Sequence, residues 1–109
     1  MKTWVYVLDV FKPVKLDVEK LFSLVESSPL KLFNLIRETL KEDLGEIVNV
    51  KVFDIYFNPK TFDLLVEYIV NCSFGEVSVK FIYSDNPRQT LYNYYKYETE
   101  KRKRSLSVT

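Results

Sequence analysis

The sequence predicts an α+β fold: a two-layer sandwich with a mostly antiparallel four-stranded sheet, elements in the order β-α-α-β-β-β-α, helices packed on one face and a further C-terminal helix. Three observations lead there. Apolar residues alternate with period two along three consecutive segments between residues 47 and 84. The links between those segments are too short for anything but antiparallel neighbours. Two cap-then-proline pairs, Ser28-Pro29 and Asn86-Pro87, each open a stretch with helical spacing.

The first element, Thr3 to Phe11, reads as one strand. Trp4, Tyr6, Leu8 and Val10 fall on one face and Val5, Val7 and Phe11 on the other, so it belongs inside the sheet. Lys12-Pro13 ends it. Asp17 caps a helical stretch carrying Val18, Leu21, Phe22 and Val25. After the Ser27-Ser28-Pro29 interruption, Leu30, Phe33, Ile36, Leu40 and Leu44 form one stripe, and Gly45 stops the helix.

Three strands follow, at Ile47–Phe57, Phe62–Cys72 and Glu76–Ser84. Pairing Phe57 with Phe62 and Cys72 with Val77 stacks Phe53, Ile55, Phe57, Phe62, Leu64, Val66, Tyr68, Val70, Val79 and Phe81 on a core face. The opposite face carries Val48, Val50, Val52, Leu65, Ile69 and Ile82 among Asp54, Glu67, Asn71, Ser78 and Lys80. That is too many aliphatics for plain solvent. Two explanations stay open. A β-bulge near Lys51-Val52 would return Val48, Val50 and Val52 to the core. Alternatively, the C-terminal helix or a second copy of the chain covers this face. The last helix runs from Pro87 to about Arg102, and residues 105–109 are expected to be a disordered tail. Residues 1–104 make a single domain.

Composition excludes several chemistries. The 109 residues contain no His, which removes imidazole bases and His-ligated zinc. The single Cys72 has no disulfide partner and no basic activator, and reads as a small buried hydrophobe. The glycines, Gly45 and Gly75, form no phosphate-binding loop. No apolar run is long enough for a membrane span, and no secretion signal is recognisable, so a cytoplasmic location is expected. No cofactor is implied. The absence of Ala, with twelve Lys to four Arg, fits an AT-rich genome, and the wealth of Lys and Glu hints at a thermophile. An archaeal virus or plasmid is a source of that kind.

Two candidate sites bear on chemistry. Asp63, Glu67, Glu76 and Lys80 share one face of adjacent strands, as in metal-dependent nucleases. However, Ser78 stands where an acid-x-Lys motif needs its acid, so Glu67 and Lys80 read as solvent-facing cross-strand partners. Residues 85–109 hold six basic and three acidic residues, against ten and twelve in residues 1–84. Arg88, Tyr92, Lys96, Tyr97, Lys101, Arg102, Lys103 and Arg104 are therefore candidate nucleic-acid contacts, since aromatic faces stack bases and cations neutralise phosphates. A whole-chain charge of +1 is modest for such binding.

The order strand–helix–three strands–helix resembles a double-stranded-RNA-binding domain with an added N-terminal strand. The resemblance is one of topology. That family opens its second helix with a Lys- and Ala-rich segment, whereas this chain has Asn86-Pro87-Arg88-Gln89-Thr90-Leu91. No binding residues carry over. The expected function is a small non-catalytic binding or adaptor protein, a homodimer acting through protein contacts, with Val50, Val52, Leu65, Ile69 and Ile82 as the candidate interface. A host-modulating role would suit a viral source. The competing class is a nucleic-acid-binding protein.

Overall fold

A computed structural model describes residues 1–17, 19–21 and 29–107. Its elements are β1 (Lys2–Val7), β2 (Val10–Val14), α1 (Pro29–Leu44), β3 (Ile47–Asn58), β4 (Asp63–Cys72), β5 (Gly75–Ser84) and α2 (Pro87–Ser107). The strands form one antiparallel sheet in the order β2-β1-β5-β4-β3. The architecture is α+β as expected, with five strands in place of four.

The extra strand comes from the first element, which is a hairpin. Leu8 and Asp9 both adopt left-handed backbone conformations (φ 50° and 63°), and the chain turns between Val7 and Val10. The Tyr6 hydroxyl donates to Asp9 Oδ1 at 3.0 Å across this turn. β1 is interior, as expected. Lys12-Pro13 does not end the strand but lies within β2, where Pro13 is tolerated because β2 is an edge.

The helix signals operate largely as read. Asp17 Oδ1 accepts the Lys20 amide at 2.7 Å, a cap for helical residues 19–21. Val18, Phe22, Val25 and Ser28 lie outside the described residues, as does the Leu30 side chain. Pro29 is the first residue of α1, whose Ile36, Leu40 and Leu44 are fully buried. Gly45, at φ +69°, donates to the Lys41 carbonyl and closes the helix. Asn86 caps α2 by accepting the Gln89 amide at 3.2 Å. α2 continues past Arg102 to Ser107, so residues 105–107 of the expected tail are helical.

Both hairpin registers differ by two residues from the sequence expectation. Phe57 pairs with Leu64 and Cys72 with Gly75, because the first turn spans residues 59–62 and the second only Ser73-Phe74. An even shift preserves faces. Leu64, Val66, Tyr68, Val70, Val79 and Phe81 therefore still form the core, joined by Val5 and Val7 beneath α1. Burying each of these side chains contributes about 1.5–3 kcal/mol.

The core assignment fails at β3. Phe53 is the extra residue of a bulge between Val52 and Asp54, Phe62 sits in the turn with φ 64°, and both are exposed. The bulge moves Val50 and Val52 to the α1 face, opposite Val70 and Tyr68, and Val50 packs on the core. Val48 marks a second irregularity and stays exposed. The other face is covered by α2, through Leu91 and Tyr94 over Leu65 and Ile82. The bulge and the helical cover both occur.

Candidate functional site

Two regions could carry function: the polar layer under α2, and the bare edge at β3.

The polar layer starts from strand register. Glu67 stands opposite Asp54 on β3 and Lys80 on β5, so three charged side chains meet on the face that α2 covers. Glu67 and Lys80 are cross-strand partners, as the sequence suggests, but both are buried, not solvent-facing. Glu67 Oε1 accepts the Tyr94 hydroxyl and Oε2 the Ser78 hydroxyl, each at 2.8 Å. Lys80 Nζ donates to Ser78 Oγ at 2.9 Å and stands 4.0 Å from Glu67. The same ammonium lies 5.7 Å and 5.6 Å from the ring centroids of Tyr6 and Tyr95. Burial lowers the Lys80 pKa, and Glu67 and Asp9 oppose the shift. Burial, then the bond to Glu67, pushes Tyr94 far up, so its hydroxyl is a fixed donor.

A second carboxyl pair closes the outer end of this layer. Glu98 of α2 meets Asp54 of β3, and Lys101 bonds Asp54 Oδ2 at 3.2 Å. Two carboxyls can bond only by sharing a proton. The bond to Asp54, then burial, raises the Glu98 pKa while Asp54 is held low, so of the two carboxyls Glu98 is the first to take a proton as pH falls. Burial alone would push Asp54 up, but bonds from Glu98, the Ile55 amide and Lys101 hold it below the usual range. Tyr94, Glu98 and Lys101 tie α2 to the sheet through Glu67 and Asp54. Among the described residues, no group of carboxylate and thiol side chains is placed to hold a metal. Asp63 and Glu76 sit near opposite ends of β4 and β5, roughly 25 Å apart along the strands, so the nuclease-like quartet is not assembled. Cys72 is half-buried against the core.

The expected protein interface is also dispersed. Leu65 and Ile82 are fully buried under α2, and Ile69 is half-buried on that face. Val50 and Val52 lie on the other face. Of the five, Val52 is exposed.

The candidate nucleic-acid residues all lie on α2 and are exposed, but they point in several directions. Arg88 sits 5.2 Å from the Phe11 ring centroid, whereas Lys101 reaches Asp54 and the Tyr97 ring on the β3 side. Tyr97 packs on Tyr56 and Tyr94. At 100° per residue, Tyr92, Lys96 and Lys103 share the outward line of the helix, with Arg102 toward the Arg88 side and Arg104 on the opposite flank.

What sequence reasoning missed is the β3 edge. Phe53, Phe57 and Phe62 are 53%, 45% and 66% exposed, and Val48, Val52 and Ile55 are exposed with them. The Phe57 and Phe62 rings touch edge to face, with centroids 6.2 Å apart. This strip is the largest run of open apolar side chains among the described residues. The Asn58-Pro59-Lys60-Thr61 turn beside Phe57 and Phe62 was the available signal. Comparison with protein-family models, with curated proteins and with solved structures gives no match for this chain.

Proposed function

We propose that the chain is a small non-catalytic binding protein that acts through protein–protein contacts as a homodimer. The observation that supports this reading is the apolar strip along β3 and its turn, from Val48 to Phe62. Six large hydrophobic side chains on one edge are costly to leave in water, and such patches mark interaction sites. The ionisable groups under α2 are engaged with one another, which suits a structural layer better than a reaction centre. A host-modulating role suits a protein with the composition of an archaeal virus or plasmid product.

The test is sedimentation equilibrium of the full chain at micromolar concentration. Twice the 13.0 kDa chain mass is expected. A mass of one chain at every accessible concentration overturns the homodimer.

A second reading is nucleic-acid binding by α2, favoured by the outward Tyr92, Lys96 and Lys103. Its test is anisotropy of a labelled single strand at low salt, with truncation after Thr99 expected to remove the signal. Absence of binding by the full chain at low salt ends this reading.

A further inference from the structure

We infer that two copies of the chain join edge to edge through β3, antiparallel about a two-fold axis between Val52 and Phe53, making one continuous ten-stranded sheet. This rests on the homodimeric reading above and specifies its geometry.

The argument begins with the sheet order. β3 is terminal, with β4 on one side and, among the described residues, no strand on the other, so its outward backbone groups lack ladder partners within the sheet. It is twelve residues long and contains no proline. The other terminal strand, β2, has five residues, Pro13 among them, and offers little to pair with. Edge pairing is therefore directed to β3.

The bulge then selects the register. Val50, Ile55 and Phe57 face α1, whereas Lys51 and Asp54 face α2, because Phe53 inserts one residue between the two halves of the strand. In an isologous pair, residues before the bulge meet residues after it. Like faces coincide only when the numbers of paired residues sum to an odd value. Among such registers, a sum of 105 sets Lys51 of each copy opposite Asp54 of the other, whose carboxylate also takes Lys101 of its own chain at 3.2 Å, so each Asp54 is shared between an internal and an intermolecular lysine. The same register sets Val50 against Ile55 and Val48 against Phe57. The two bulges then lie side by side at the axis, so their local twists match.

The area is sufficient. At ~200 Å² per phenylalanine, the open parts of Phe53, Phe57 and Phe62 amount to about 300 Å². With Val48, Val52, Ile55 and the strand backbone, the surface is of the order of the ~800 Å² per partner found in stable complexes. The occupant is a second copy because the strand is complementary to itself in both apolar pattern and charge.

Sedimentation equilibrium on variants tests this, with circular dichroism to verify folding. Ile55→Lys/Phe57→Lys alters two exposed positions and should convert the dimer to monomer at ~10 μM, a loss of tenfold or more in affinity. Lys51→Asp and Asp54→Lys should each weaken self-association by roughly fivefold or more, since each juxtaposes like charges. Mixing those two variants should restore dimers, because every pair in the mixed dimer is then Asp against Lys. A dimer that survives Ile55→Lys/Phe57→Lys, or a mixture that stays as weak as its components, overturns the β3 pairing and leaves the homodimer standing. A monomeric wild-type chain overturns both.

Discussion

Tyr94 and Glu67 hold the second layer of the molecule together. A buried carboxylate is costly unless its oxygens find donors, and Glu67 has one hydroxyl on each, from Tyr94 and Ser78, with Lys80 at 4.0 Å. Tyr94→Phe removes one donor without changing shape. It should cost about 1–3 kcal/mol in denaturant unfolding, with an unchanged m-value. A cost near zero would mean that water replaces the hydroxyl. The Asp54–Glu98 pair gives a dependence on pH. The folded pKa of Glu98 is raised above its ordinary 4.5, so within that window the folded chain holds the extra proton and stability falls as pH rises. Asp54, held low, adds stability above its ordinary 3.8 that is lost as pH falls through its folded pKa. Glu98→Gln keeps a donor on Asp54 without needing a proton. It should raise the melting temperature at pH 7 by a few degrees and less at pH 4. Equal shifts at the two pH values would exclude the shared proton. The sequence showed Glu67 and Lys80 as neighbours across a ladder. It carried no sign that α2 would lie over them, since periodicity reports which face a residue occupies and not what covers that face.

At the scale of elements, local signals were legible where one residue type dominates the conformation. Asp17, Pro29, Gly45 and Asn86 mark helix ends in the structure as their side chains predict. The N-terminal hairpin was not legible, because its turn is Leu8-Asp9 and carries neither Gly nor Asn. Leucine in a left-handed conformation costs of order 1 kcal/mol, and Leu8 is exposed, so nothing packs to justify it. Leu8→Asn should therefore stabilise the chain by about 0.5–1 kcal/mol in thermal or denaturant unfolding. A destabilisation would show that the Leu8 side chain makes a contact of its own. In both later hairpins the turn lengths were misjudged by two residues of register, yet the core face survived, since strand side chains repeat every two. At the bulge the offset is odd. There, Val50 and Phe53 exchanged the roles their positions implied.

At the scale of the molecule, cover is limited by geometry. A helix is about 10 Å across, and neighbouring strands are ~4.8 Å apart, so one helix shields about two strands of five. α1 and Leu21 cover the core side chains of one face and leave Ile55 and Phe57 of β3 open. The sequence placed those side chains on the right face but could not give the width of the helical layer above them.

The proline in β2 has a consequence for how far association can go. A sheet that is adhesive along both borders grows without end, as fibres do, whereas one with a single adhesive border is satisfied by one mate. Pro13 lacks the amide hydrogen that a neighbouring strand would need, so stacking is refused on that side. Pro13→Val should remove the stop. Species larger than two chains should then appear in light scattering, at concentrations where the unaltered chain shows none. If the scattering is unchanged, the brevity of β2 is enough to terminate the array without the proline.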